Sequence, residues 1–206
     1  MNIIKLIDSY CGVNTYILYP DNKKECIVVD PGGSLEELKQ TIEENALDPK
    51  YIVLTHGHGD HIGYADEVRD YYKIPIIVNE DERNMLLDSS KNLSKTMKCG
   101  IKEFDGDIFV KNGDTFEFGG EVLEFIHTPG HTKGGMCIKI GDDMLTGDTL
   151  FTGSIGRTDL PDGNFEEMKQ SLRVLYKMDD NIKIYPGHGP ASTIGQEKKS
   201  NPYMKF

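Results

Sequence analysis

The chain has no tryptophan and only four cysteines in 206 residues. Cys11, Cys26, Cys99 and Cys137 are far apart and form no Cys-x-x-Cys pair. That spacing argues against a zinc knuckle or a disulfide framework and leaves each cysteine as a small buried or half-buried apolar residue. The expected setting is reducing cytoplasm. No run of about 18 apolar residues is present, so no segment is expected to span a membrane. The N-terminal "MNIIKLIDSY" lacks the apolar stretch and small-residue cleavage site of a secretion signal. Positive charge is scarce as well, with 23 basic against 34 acidic residues and a net charge of −11. Such a field repels nucleic acid and anionic membrane unless a local basic patch intervenes. A small-molecule substrate is the expected partner; oligomeric state is not legible.

What is present reads as alternating β and α segments. "NIIKLI", "NTYILY" and "ECIVVD" are β-like, with "PDNKK" from Pro20 as a turn between the second and third. Ser34 is placed to cap a helix, with Glu37 closing a capping box and Leu35, Leu38 and Ile42 along one face. "YIVL" from Tyr51 is a short apolar strand, a helix is expected over 63–72, and "IPIIVN" is a further strand. From Ser89 to Phe104, Leu93, Met97, Ile101 and Phe104 keep a helical period, and Lys91, Lys95, Lys98 and Lys102 keep it on another face. This predicts an amphipathic helix or helical lid. Its lysine stripe reads as a solvated face, the alternative being an attractor for an anionic substrate. The stretch 107–146 is β-rich, with turns at "KNGD", "FGGE" and "KIGDD". Asn164 should cap a helix whose apolar face is Phe165, Met168, Leu172 and Leu175, and "IKIYPGHG" is a last strand running into a loop. No repeat or linker interrupts this order, which suits one α/β domain over 1–206 with sheets inside and helices outside.

Histidine is concentrated rather than abundant. Three of the six lie in "HGHGDH", His56, His58 and His61, with Asp60 among them. Imidazole nitrogen and carboxylate oxygen are ligands for zinc and similar ions. His56 and His58 are two apart, so an extended backbone points both the same way. Gly57 and Gly59 permit a sharp path. Asp60 and His61 cannot join the first pair without strain, which makes a second ion the economical solution. His131 in "HTPGHT", Asp148 in "LTGDT" and His188 in "YPGHGP" each sit in a glycine-containing loop after an apolar run. Such loops at strand ends are how a rigid sheet builds a site. His127, ahead of the Pro129-Gly130 turn, reads as structural.

The order of these motifs resembles the metallo-β-lactamase superfamily, and the resemblance covers nearly the whole chain, including "VVDPGG" with Asp30. It implies a four-layer αββα sandwich with metals at one edge of the two sheets. It also implies that His56, His58 and His131 hold one ion, that Asp60, His61 and His188 hold another, that Asp148 bridges them, and that Asp30 orients the site from behind. True metallo-β-lactamases lack the second histidine of the Asp-His pair and usually carry cysteine where this chain has Asp148; flavo-di-iron proteins usually have an acid in place of His58. "TGSIGRTDLPDGN" and the tail "GPASTIGQEKKSNPYMKF" look more like the short glyoxalase II-like (hydroxyacylglutathione hydrolase-like) hydrolases. Only 18 residues follow His188, so the C-terminal helical domain that holds glutathione in longer members is not expected.

The implied activity is thioester hydrolysis by a hydroxide bridging two divalent ions, zinc ahead of iron or manganese, with Asp60 and Asp148 as its catalytic carboxylates. Arg157 either grips a substrate carboxylate or pairs with Asp159 or Asp162 to pin its loop, the second being favoured. Among rivals, a persulfide dioxygenase would use the same ligands with one iron and O₂, and a lactonase would use the same hydroxide on a cyclic ester. An RNase Z-like nuclease is disfavoured by charge, and a structural zinc module by the cysteine-free ligand set.

Overall fold

The structure is a computed structural model describing residues 1–21, 24–97 and 99–206. In chain order its elements are β1 (Asn2–Ile7), β2 (Asn14–Tyr19), β3 (Glu25–Val29), α1 (Leu35–Glu44), β4 (Asp48–Val53), α2 (Gly59–Ile62), α3 (Ala65–Tyr72), β5 (Ile76–Asn79) and α4 (Arg83–Leu86). There follow β6 (Ile108–Val110), β7 (Thr115–Phe118), β8 (Glu121–His127), β9 (Met136–Ile140), β10 (Asp143–Gly147), α5 (Phe165–Tyr176), β11 (Lys183–Pro186), β12 (Ser192–Thr193) and α6 (Ile194–Ser200). One sheet has the order β1-β2-β3-β4-β5-β6, the other β12-β11-β10-β9-β8-β7. Strands β3, β4, β5 and β6 are parallel neighbours, as are β10 and β11.

Strand alternation explains the four layers. Neighbouring residues point to opposite faces, and in the central strands both faces are buried. Ile17, Val28 and Ile52 pack outward with Leu38 and Ile42 of α1 and Val68 of α3. Leu18, Ile27 and Val53 point inward and meet Leu123, Phe125 and Ile138 of the second sheet. Beyond that sheet Cys137, Met144 and Ile184 pack on Met168, Leu172 and Leu175 of α5 and Ile194 of α6. This is the expected αββα sandwich. Doubly buried strands read as unbroken apolar runs, as "IVV" and "YIVL" do. Among the described residues no helix is long and apolar enough to cross a membrane.

Several local expectations need correction. Ser34 Oγ accepts from the Glu37 amide at 3.3 Å, which is only the first half of the capping box. The helix expected over 63–72 starts two residues later, as α3 at Ala65, and a separate short helix, α2, precedes it; Tyr64 N–H donates to Pro31 O at 2.9 Å and turns the chain between the two. The helical lid over 89–104 does not form. Leu93 takes φ +66°, and the Asn92 side chain donates to Lys102 O at 2.8 Å while its Oδ1 accepts from Ser94 N at 2.9 Å. These polar bonds compete with a helical ladder and leave a folded loop with one short turn at Ser94–Thr96. The described lysines of the stripe accordingly share no face. Lys102 is buried between Asp66 and Glu67 at 2.9 and 2.5 Å, Lys91 pairs with Asp162 at 3.2 Å, Lys95 is exposed, and Lys98 lies outside the described residues. The Pro20 turn likewise includes Asn22 and Lys23, outside the described residues. Asn164 caps α5 as expected, but Phe165 is exposed rather than on the apolar face. The cysteines are free, with Cys26 and Cys137 buried and Cys11 and Cys99 partly so.

Candidate metal centre

The site is built at the C-terminal ends of the parallel strands. β3 runs into Asp30 and β4 into Thr55, side by side. Asp30 adopts φ +49°, a left-handed conformation that costs a non-glycine residue energy. Its carboxylate repays this with three bonds, from Thr55 N at 2.7 Å, Thr55 Oγ1 at 2.6 Å and His61 Nδ1 at 2.9 Å. The last bond puts the proton of His61 on Nδ1 and turns Nε2 inward. His56 Nδ1 lies 3.1 Å from Thr55 Oγ1, which turns its Nε2 inward too. His58 stands at the position before α2 without a capping side-chain bond, and Asp60 and His61 occupy the helix's first turn.

The second sheet supplies the rest. His131 lies in the loop between β8 and β9, and its Nδ1 donates to Arg157 O at 2.7 Å. Asp148 follows β10 and His188 follows β11. Asp148 spans the gap between the two sides, with Oδ1 3.3 Å from His61 Nε2 and Oδ2 3.4 Å from His131 Nε2 and 3.7 Å from His188 Nε2. His188 Nε2 is 3.2 Å from Asp60 Oδ2. Three overlapping groups each bring their donor atoms within 4.8 Å of one another: His56, His58 and His131; His56, His61 and Asp148; Asp60, His61 and His188. All seven expected ligands therefore converge. Gly187 is required by this crowding, since a Cβ there would lie 2.3 Å from Asp148 Oδ1 and 2.5 Å from His61 Cε1.

Charge divides the cluster. Burial, reinforced by neighbouring imidazoles, holds His56 well below its usual range, and burial brings His58 down to about 3. Burial lowers His131 as well, against the pull of Asp148. His61 shifts the other way: burial opposes its charge, but Asp148, Asp30 and Asp60 outweigh it and raise it well above the usual histidine value. His188 is raised in the same manner, burial being overcome by its bond to Asp60. Burial alone would raise the carboxyls of Asp60 and Asp148, yet the imidazoles, His61 foremost, hold both low.

The donor set fits divalent metal. His56 Nε2, His61 Nε2 and Asp148 Oδ1 are buried and have no hydrogen-bond partner. Such atoms are costly to bury unpaired, and a cation of the kind held by imidazole and carboxylate satisfies them.

The positions of Asn14, Tyr16 and Glu82 were not foreseen. From β2, Asn14 Nδ2 donates to Pro186 O at 2.8 Å and Gly189 O at 2.9 Å, and Tyr16 Oη donates to Pro186 O at 2.7 Å. Together they hold the His188 loop. Glu82 is buried; its Oε1 accepts from Thr132 Oγ1 and, at 2.9 Å, from Gly134 N. Its Oε2 lies against Gly57, 3.1 Å from where a Cβ would sit. It thus touches the loops on both sides of the first ligand group. Burial pushes its carboxyl up to about 7. An acid in "NEDE" carries no sequence signal of this, because its partners are some 50 residues away. His127 takes no part, donating Nε2–H to Lys133 O at 2.9 Å. The Arg157 guanidinium forms a two-pronged pair with Asp159 at 2.7 and 2.8 Å, both side chains exposed, and it also edges the open cleft over the cluster.

Residues 9–188 match the sequence profile of the metallo-beta-lactamase superfamily, and the chain belongs to that superfamily. Among its relatives is hydroxyacylglutathione hydrolase GloC of Haemophilus influenzae, 37% identical over 191 residues and aligned over 89% of each chain. Among solved structures, BLEG-1, described as a B3 metallo-beta-lactamase, superposes with a TM-score of 0.93 at 33% identity over 100% of both chains. ETHE1 from Myxococcus xanthus gives 0.81 at 28% identity over 98% of this chain and 84% of its own. TTHA1623 in a di-iron-bound form gives 0.86 at 26% identity over 98% and 100%. The motif differences expected to separate the chain from β-lactamases thus do not separate the overall structures.

Proposed function

We propose that this protein is a binuclear metal-dependent hydrolase that cleaves thioesters, with a small S-acyl thiol as substrate. The observation that carries this reading is the pair of ligand groups on either side of Asp148, joined to the similarity to GloC. His56, His58 and His131 would hold one ion and Asp60, His61 and His188 the other, with Asp148 between them. When bound, such a pair supplies a water that deprotonates near neutral pH and a Lewis acid for the substrate carbonyl. Asp60 is positioned to accept a hydrogen bond from the attacking water and orient it. Asp30 keeps His61 in the tautomer that presents Nε2 inward. The C–S bond breaks, the acyl carbon keeps the water's oxygen, and the thiolate leaves with little need of a general acid. The open cleft over the cluster, about 450 Å³, is the size of a small-molecule site. Its walls combine Leu93, Met97, Phe151 and Leu160 with the single guanidinium of Arg157.

The test is metal analysis and a thioester assay on one purified sample. Two equivalents of divalent metal, zinc before iron or manganese, with thioester turnover is the expected result. One iron with oxygen uptake on a glutathione persulfide would replace this reading with a dioxygenase, the alternative that the likeness to ETHE1 favours. Turnover of a β-lactam or lactone well above any thioester would reassign the substrate.

A further inference from the structure

The tail from Gly189 onward supplies none of the clustered ligands. It is nevertheless firmly seated. Ile194 and Met204 are buried with Leu172 and Leu175 of α5, and Lys198 Nζ pairs with Asp180 at 2.6 Å. On this platform stand two polar side chains, Glu197 and Asn201, both 0% exposed. We propose that Glu197 and Asn201 are positioning residues: they hold a hairpin at 151–154 so that Phe151 forms a wall of the open cleft, and that wall binds an apolar, non-reacting arm of the substrate. The proposal rests on the reading that this cleft is the substrate site, and it names a specificity-determining contact there.

Three observations carry it. The first is the hairpin. After Asp148 the chain doubles back, with Phe151 N donating to Ser154 O at 3.0 Å and Gly153 at φ +73° in the turn. So short a hairpin has little stability of its own. The second is the grip of the tail on it. Gly153 N donates to Glu197 Oε2 at 2.7 Å. Asn201 Nδ2 donates to Phe151 O at 3.3 Å, to Ser154 O at 3.0 Å and to Glu197 Oε2 at 3.0 Å. Asn201 Oδ1 accepts from Tyr203 N at 3.0 Å, which fixes the amide with its donors toward the hairpin. Ser192 Oγ donates to Glu197 Oε1. Groups buried this deeply hold their partners, because an unmade bond costs the whole desolvation penalty. The third is what the hairpin carries. Phe151 lines the cleft, and its ring meets that of His188 edge-on, with centroids 6.1 Å apart. Thr152 Oγ1 donates to Pro190 O at 2.8 Å, tying the tip to the His188 loop. Asp148 stands on separate bonds, Thr149 N to Thr146 O at 3.0 Å and Thr146 Oγ1 to Leu150 O at 2.8 Å. Loosening the hairpin therefore moves the wall and leaves the cluster in place.

The experiment measures calorimetric Kd values of the metal-loaded protein for mercaptoacetate and its benzyl-substituted counterpart, which share a thiol and a carboxylate and differ in the apolar arm. The parent should prefer the benzyl compound by about tenfold. Asn201→Leu and Phe151→Ala should each erase most of that preference, and the double variant should lose no more than either alone. Metal content should stay at the parent's value. Glu197→Leu should behave as Asn201→Leu. Glu197→Gln should keep the preference, because its amide oxygen can accept from Gly153 N and its amide nitrogen can donate to Ser192 Oγ. Should a leucine variant fail to fold, Thr152→Val at the exposed tip should still lower the preference about threefold, as for one lost hydrogen bond. With thioesters, Asn201→Leu should raise KM and leave kcat within about twofold of the parent. A parent indifferent to the benzyl group, a preference unchanged in the variants, or additive losses in the double variant overturns the proposal. Loss of an ion from a folded leucine variant overturns it too, since the tail would then brace the cluster and not the wall. The expected pattern of Kd values in a protein that turns over no thioester would sustain the positioning role and overturn the hydrolase reading instead.

Discussion

The two ligand groups of the cluster are built by opposite means. His56, His58 and His131 sit in a dry region where burial dominates, and each is lowered below the ordinary histidine range. Asp60, His61 and His188 sit among carboxylates, and both of these imidazoles are raised. Before any ion arrives, the first group consists of neutral imidazoles, two of them, His58 Nδ1 and His131 Nε2, in hydrogen-bond contact at 2.9 Å, and the second is a network whose two raised imidazoles hold additional protons that a cation would have to displace. One site can therefore be preformed and the other conditional, although both use the same residue types.

The largest test of this contrast is Asp148→Ala, which removes the group touching both sides. Thioester kcat/KM should fall on the order of 10³-fold, with metal content dropping toward one equivalent by elemental analysis. Retention of two equivalents and full activity would break the comparison at its centre. Asp30→Asn comes next. An amide has one acceptor oxygen and cannot take all three bonds, from His61 Nδ1–H, Thr55 N–H and Thr55 Oγ1–H, as the carboxylate does, so affinity for the second ion should fall about 10–100-fold, measured by competition with a chelating dye. The first ion should be affected less.

Acid separates the groups without mutation. In the metal-free protein His61 and His188 are raised, so they keep protons at a pH where a free histidine has lost them. Affinity for the second ion should drop about tenfold per pH unit for each proton displaced, and so up to about 100-fold per unit where both imidazoles are protonated, on descending from pH 8 toward 6. His56 and His58 are lowered and stay neutral over that range, so calorimetric titration at pH 8 and pH 6 should show the first ion nearly unchanged. Equal losses at both would erase the distinction. Glu82→Gln probes the dry side with the smallest effect. The Glu82 carboxyl is raised to about 7 in the fold against roughly 4.3 unfolded. The folded state then binds more protons than the unfolded state between those values, and stability falls as pH rises through them. Glutamine cannot titrate, so the Tm of the metal-free variant relative to the parent should rise by about 5–10 °C between pH 5 and pH 8.

How legible the site was follows the same division. The seven clustered side chains and Asp30 could be read from sequence because metal chemistry restricts residue type and motif order restricts position. Glu82, Asn14 and Tyr16 could not, because their roles consist of bonds to loops some 50 or 170 residues away. The lysine stripe misled for a related reason. Its period was helical, but Asn92 and Ser94 satisfy local backbone groups, and the buried Lys102 ammonium finds two partly exposed carboxylates on α3. A pairing of that kind outweighs a weak helical preference.

By itself the sequence determined the main β-strands and the helices at α1 and α5, the apolar runs that must be covered on both faces, and the set of side chains able to bind metal, since each depends on residue type and near spacing. Only the tertiary structure decided which imidazoles are neutral and which carry protons, where the C-terminal tail meets the cleft loop, and which acid braces the first ligand loops. Those properties come from burial and from charges brought within a few ångströms by distant parts of the chain, and neither quantity exists until the two sheets have closed on each other.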